Sequence, residues 1–218
     1  MSDEGNPDHG NLVPVGGGYL TPVTSSSPLV SRGLADLLNL EEIYRLSIID
    51  ALTGIHNKRY MLEFLNRELA RSALHHRPLS LVRFDIDGFK TLNVDLGHLA
   101  RDFTLRELAT LVREAVRKEE LFARYDDEGF AVVLPETNWE GGLQMSERLR
   151  YLVEAHDFHY EERHYKITIS LGLVATEGDE SLTPNDLIKQ ADEKLCQARR
   201  DGGNRVTPEA WRHTIELD

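Results

Sequence analysis

The order in which this chain alternates helical and extended segments is its strongest constraint on fold. Segment 59–74, "RYMLEFLNRELARSAL", sets Met61, Leu62, Leu65, Leu69 and Leu74 on or near one face of a predicted helix. "PLSLVRFDID" (78–87) then reads as a buried strand that ends in acids. "FKTLNVDLGHL" reads as a short helix and loop, and "DFTLRELATLVREAVRK" as a second long helix. "LFARYDDEGFAVVLP" (121–135) reads as a hairpin with three consecutive acids at its tip. A third long helix, "WEGGLQMSERLRYLVEAH", is followed by "ITISLGLVAT", a strand with alternating Ile167, Ile169 and Leu171. The last helix begins at "TPNDL", with Thr183 as N-cap and Pro184 in its first turn, and ends at Gly202-Gly203. The order β-α-α-β-β-α-β-α predicts an α/β domain whose central sheet is mostly antiparallel and flanked by helices.

The flanks read differently. Residues 1–33 are rich in Gly, Pro, Ser, Asn and Asp and are predicted to be a disordered tail, although "LVPV" and "YLTPV" offer short apolar patches to a partner. Residues 34–49 carry Leu34, Leu37, Leu38, Ile43, Leu46 and Ile49 near helical spacing. They predict an amphipathic helix leading into the domain, packed on it or paired with a second copy. Residues 213–218 are a C-terminal tail. A net charge of -12 argues against binding a nucleic-acid polymer but leaves room for a local basic pocket that takes a small nucleotide. No apolar run is long enough for a membrane span, and the first residues show no signal-peptide pattern. The single cysteine, Cys196, has no internal disulfide partner, which points to the cytoplasm.

Asp85 and Asp87 flank Ile86 at the end of a strand, and alternation predicts that they share a face. Acids there suit a hard divalent cation, with Glu128 of the hairpin as a third ligand if the strands are neighbours. The alternative is a solvated strand terminus with capping acids.

Four motifs in order, "DALTGIHNKR", "FDIDGFKTLNVDLGH", "ARYDDEGFAVVLP" and "ADEKLCQARRDGGN", resemble the GGDEF domain of bacterial diguanylate cyclases, which condense two GTP into cyclic di-GMP. The resemblance assigns residues 50–212 to this domain and implies a palm-like nucleotide-cyclase fold. The family's Gly-Gly-Asp/Glu-Glu-Phe signature falls on Asp126, Asp127, Glu128, Gly129 and Phe130, so the glycines have become acids and the fourth-position acid has become glycine. By resemblance, Asp85, the Ile86 carbonyl and Glu128 would hold a metal, and Phe89 and Lys90 would lie near phosphates. Asn93 and Asp102 would read a guanine edge, and Arg199 stands where the family has a phosphate-binding lysine. Arg101 replaces a glycine, and Gly202-Gly203-Asn204 replaces Gly-Arg-Asn. Two added acids cost about 4 kcal/mol per like-charge pair at roughly 4 Å and an effective dielectric of about 20.

A second, product-binding site of the family maps to Arg117, Glu120 and Arg148, with Glu120 in place of an aspartate. Two arginines and an acid suit phosphates and guanine edges. An ordinary helix-end ion pair between Arg117 and Glu120 is the alternative.

The expectation from the sequence is therefore a catalytically inactive, degenerate GGDEF protein. It acts as a cyclic di-GMP receptor that signals to a protein partner, requires no cofactor, and retains a residual site for Mg²⁺. A weak diguanylate cyclase using GTP and Mg²⁺, or a scaffold that binds no nucleotide, are the alternatives. The apolar stripe of residues 34–49 predicts self-association or partner docking. A chain beginning at Ser47 should then show a lower mass in solution, or lose partner binding, in light scattering and pull-down. Unchanged mass and binding would exclude the idea.

Overall fold

The computed structural model describes residues 47–208, without the side chains of residues 93–96. The tail over 1–33, most of the helix over 34–49 and the tail over 213–218 lie outside the described residues, of which the helix contributes only its last three. Along the described chain run α1 (Lys58–His75), β1 (Leu79–Ile86), α2 (Phe89–Ala115), β2 (Leu121–Arg124), β3 (Gly129–Pro135), α3 (Trp139–Ala155), β4 (Phe158–Tyr160), β5 (Arg163–Tyr165), β6 (Ile169–Thr176), α4 (Pro184–Arg200) and β7 (Val206–Pro208).

β1 is the middle strand of a five-stranded sheet ordered β2-β3-β1-β6-β7, and all eight of its residues are buried. Both of its neighbours run antiparallel to it; only β6 and β7 pair in parallel. Burial on both faces follows from alternation along the strand. Val82, Phe84 and Ile86 join Leu105, Leu108 and Val112 of α2 and Leu149 and Val153 of α3 in one core. Leu79 and Leu81 join Met61, Leu65 and Leu69 of α1 and Leu187, Ile188 and Ala191 of α4 in the other. Helices thus cover both faces, as the order of segments predicts. Continuing the alternation, Arg83 and Asp85 fall on the face that carries α4.

Local chemistry fixes the element ends. Asn57 and Asn138 cap α1 and α3 through their side chains, and Thr183 with Asp186 forms a capping box on α4 behind Pro184. The predicted short helix, loop and long helix are the two parts of α2, which break at Gly97.

The structure also departs from the sequence reading. The hairpin β4–β5 and the strand β7 were not anticipated; each strand has three residues, too few for a periodic signal. The strand expected from Ile167 begins at Ile169. Leu74 is 74 % exposed, because Ser72 takes the buried position in the last turn of α1 and Leu74 lies two residues, about 200°, further round.

One close approach seats α4 on the sheet. A Cβ at Gly172 in β6 would lie 2.2 Å from the Ala191 carbonyl oxygen and 2.4 Å from the Leu195 nitrogen. Both are backbone atoms of a packed helix and cannot swing aside. Gly172→Ala should therefore lower stability by about 1–3 kcal/mol or more, read from the midpoint of urea unfolding. A wild-type midpoint would show that α4 can lift without cost.

Candidate functional site

The acid-rich end of β1 lies against the hairpin tip on one side and the end of α4 on the other. Asp85 pairs in register with Gly129 of β3 and Ser170 of β6. The tip is closed by Tyr125 and Asp126 N–H groups donating to the Gly129 carbonyl, at 2.8 and 3.2 Å. Arg124 braces it from outside, donating to the carbonyls of Asp126 (3.1 Å) and Asp127 (3.0 Å) and to the Asp50 carboxylate. Asp50 also accepts from the Thr53 N–H and hydroxyl. Burial alone would raise the pKa of Asp50; Thr53 and Arg124 together hold it below the ordinary value. No residue from Tyr125 to Phe130 has a positive φ, so this turn keeps its shape without the family's two glycines and without a left-handed aspartate.

Two arginines pair with acids of the cluster. Arg199, in the last turn of α4, donates to Asp85 Oδ2 and lies 3.5 Å from Glu128 Oε1. Arg83, inside β1, bonds Asp192 at 2.9 Å, lies 3.5 Å from Asp126 Oδ2 and sets its guanidinium 3.4 Å from the centre of the Tyr125 ring. Neither Arg83 nor Arg124 was singled out from the sequence. An arginine in an otherwise apolar strand, "LVRFDI", was the available signal, because such a cation needs a partner on its own face.

Asp85 and Asp87 do not act as a pair. Asp87 accepts from Thr168 (2.7 Å), Ser170 (2.6 Å) and the Asn204 N–H (2.8 Å), which ties β6 and the turn after α4 to the end of β1. Asp85 Oδ1 is buried without a hydrogen-bond partner. Among the described residues no three His, Cys, Asp or Glu side chains converge as a metal cage. The donors fit a cation held by one or two carboxylates and completed by water or phosphate.

An open cleft of about 660 Å³ beside the tip is lined by Asp85, Phe89, Lys90, Arg101, Asp126, Asp127, Glu128 and Arg199. It gathers Asp85, Phe89, Lys90, Glu128 and Arg199 of the expected GTP and metal residues. Asp102 is half-buried in α2 and is not among the lining residues; the side chain of Asn93 lies outside the described ones, and Ile86 turns its side chain into the core. Arg101 lies over the Phe89 ring, 5.2 Å from its centre. Arg205 donates to the Gly203 carbonyl and does not reach the cleft wall.

Arg117, Glu120 and Arg148 line a separate concavity of about 230 Å³ with Leu134, Thr137, Gly141, Gln144 and Met145. Arg148 donates to the Ala115 carbonyl at the end of α2. The Glu120 side chain, 6 % exposed, accepts from the Arg117 N–H at 2.8 Å, and its other oxygen is 4.0 Å from Arg117 Nε. The Arg117 guanidinium itself stays exposed.

Residues 47–205 match the family described as diguanylate cyclase, GGDEF domain. The chain belongs to the GGDEF family. It is 39% identical over 175 residues to the response regulator PleD of Caulobacter vibrioides, covering 79% of this chain and 38% of PleD. It is 38% identical over 168 residues to the diguanylate cyclase DgcP of Pseudomonas aeruginosa, covering 77% of this chain and 25% of DgcP. The chain thus spans well under half the length of either relative. The coiled coil and GGDEF domain of DgcB from Caulobacter crescentus, solved in complex with c-di-GMP, superposes with a TM-score of 0.76 at 26% identity, over 82% of this chain and 95% of that one. The diguanylate cyclase SiaD of Pseudomonas aeruginosa, solved with its activator SiaC, gives 0.71 at 28%, over 83% and 76%. The α/β architecture read from the sequence is the GGDEF fold. No helix among the described residues is long and apolar enough to cross a membrane.

Burial pushes the Asp85 carboxyl up to about 6 from its ordinary 3.8; Arg199 and Arg83 oppose this, and Asp126 and Glu128 add to it. A carboxyl raised in the folded state destabilises that state when ionised. The penalty is full above about pH 6 and is relieved as pH falls towards 4. Asp85→Asn should therefore raise the thermal midpoint at pH 7.5, by on the order of 1–3 kcal/mol of stability, with the advantage gone by pH 4. Equal midpoints at pH 7.5 would contradict this.

Proposed function

We propose that this GGDEF protein has lost GTP condensation and serves as a cyclic di-GMP receptor, binding through Arg117, Glu120 and Arg148 and passing the bound state to a protein partner. The observation that carries the reading is that these three residues, from the turn after α2 and from α3, line one concavity away from the hairpin tip. The exposed Arg117 guanidinium is available to stack on a guanine or to bond a phosphate. One oxygen of Glu120 accepts from the Arg117 N–H, which holds the carboxylate in the concavity and leaves its other oxygen to meet a guanine edge. The DgcB structure contains c-di-GMP, which makes the ligand class apt for a relative.

The loss of turnover is supported at the tip. Gly129 brings no carboxylate where the family signature has one, and Asp127 adds a negative charge to the cleft wall. Mg²⁺ is not required for the proposed binding. Bound in the cleft, it would supply charge neutralisation for phosphates, held by Asp85 and, from the resemblance, by Glu128 and the Ile86 carbonyl. The persistence of Asp85, Glu128 and Arg199 together in that cleft favours a weak cyclase as the second reading.

Calorimetry with cyclic di-GMP tests the receptor. Arg117→Ala should weaken binding roughly ten- to a hundredfold, as expected for removal of a charge-assisted partner. Glu120→Asp should preserve or strengthen binding, and Asp85→Ala should leave it unchanged. Incubation with GTP and Mg²⁺ or Mn²⁺ should yield no product above background. Absence of any binding would leave a nucleotide-independent scaffold. Binding lost in Asp85→Ala but kept in Arg117→Ala would move the ligand to the cleft, and product abolished by Asp85→Ala would establish the cyclase.

A further inference from the structure

The hairpin tip carries an exchange that its sequence does not reveal. A Cβ at Gly129 would stand 2.6 Å from Asp126 Oδ1 and 2.7 Å from Asp85 Oδ1. The two carboxylate oxygens therefore crowd the same side of the Gly129 Cα, in space that only a glycine leaves them. In the family signature this position carries the fourth-position acid. Here the acid has left the start of β3, and the carboxylate of Asp126, from the first position of the turn, reaches back to the space beside it. The half-exposed Asp126 side chain thus borders both the cleft and the space beside Gly129.

The arrangement leaves an electrostatic deficit. Asp85 is 7 % exposed, and its Oδ1, beside the Gly129 Cα, has no hydrogen-bond partner. Asp126 Oδ1 accepts only a long bond from the Glu128 N–H, 3.3 Å. Arg199 is engaged by the other oxygen of Asp85 and by Glu128, and Arg83 by Asp192, the Phe130 carbonyl and Asp126 Oδ2. None of these contacts serves Asp85 Oδ1. Two carboxylate oxygens crowded together repel unless a positive species joins them. Hard divalent cations take one or two carboxylates and complete their shell with water, and clefts open to solvent on either side of the tip supply it.

We propose that Asp126 and Asp85 together form a two-carboxylate site for a divalent cation, Mg²⁺ or Mn²⁺, in which Asp126 replaces the acid absent from position 129. Asp126 lies outside the metal set that the family resemblance supplies, which is Asp85, Ile86 and Glu128. The assignment is independent of whether cyclic di-GMP binds at Arg117, because the two sites share no residue.

Mn²⁺ uptake by the full chain, without nucleotide, tests it through the loss of the free-ion signal in electron paramagnetic resonance. The wild type should bind one Mn²⁺ at the tip. Asp126→Asn should weaken that uptake tenfold or more, whereas Asp201→Asn, which removes the same charge from the exposed end of α4, should not. Gly129→Ala, with no change in charge, should weaken uptake similarly by pushing the two oxygens apart. Circular dichroism melts establish that each variant is folded; if Gly129→Ala is not, Asp126→Asn decides. Wild-type uptake in Asp126→Asn overturns the assignment and leaves Asp126 as a partner of Arg83. No uptake by the wild type up to millimolar Mn²⁺ also overturns it.

Discussion

A carboxylate at the end of a strand buried on both faces has few ways to stay charged, and much of this site follows from how Asp85 is treated. Little of it is exposed, so its first countercharge comes from the protein. Arg199 supplies one, and can do so only because α4 lies close against β6. Close seating in turn depends on the absence of a side chain at residue 172. The electrostatics of the strand end and the packing of a helix two strands from the hairpin are therefore one problem. A change to either is felt by the other.

The hairpin tip shows a second dependence. Its shape is maintained by bonds from outside the five signature positions: Arg124 clasps two carbonyls of the turn and is itself held by Asp50, whose carboxylate also organises the loop through Thr53. The fold of this turn needs no glycine at residues 126 and 127, since no residue in it takes a positive φ. The one glycine of the turn, Gly129, makes room instead for the carboxylates of Asp85 and Asp126.

Much of the architecture was legible because it is written locally. The apolar runs of β1 and β3, the stripe Met61, Leu65, Leu69, and the Thr183-Pro184 start of α4 each carry their signal within one element. The strands β4, β5 and β7 were not legible, because a three-residue strand is specified by the partner it meets. The same distinction runs through the site. That Asp85, Lys90, Glu128 and Arg199 gather in one cleft follows from three separated motifs. That Asp126 folds towards Asp85, that Glu120 is buried on a backbone N–H, and that Asp87 is saturated by three donors are facts about neighbours across strands. Spacing along the chain does not encode them.

The triple hydrogen bond of Asp87 also has a meaning in time. Its donors are Thr168, Ser170 and Asn204, the last of them 117 residues further along the chain. On the ribosome, the end of β1 emerges long before any of the groups that will complete it. Asp85 waits equally for Arg199. Through most of synthesis this acidic corner must remain in water, and it can close only after nearly the whole domain has left the exit tunnel. The site is among the last parts of the described domain that can be built.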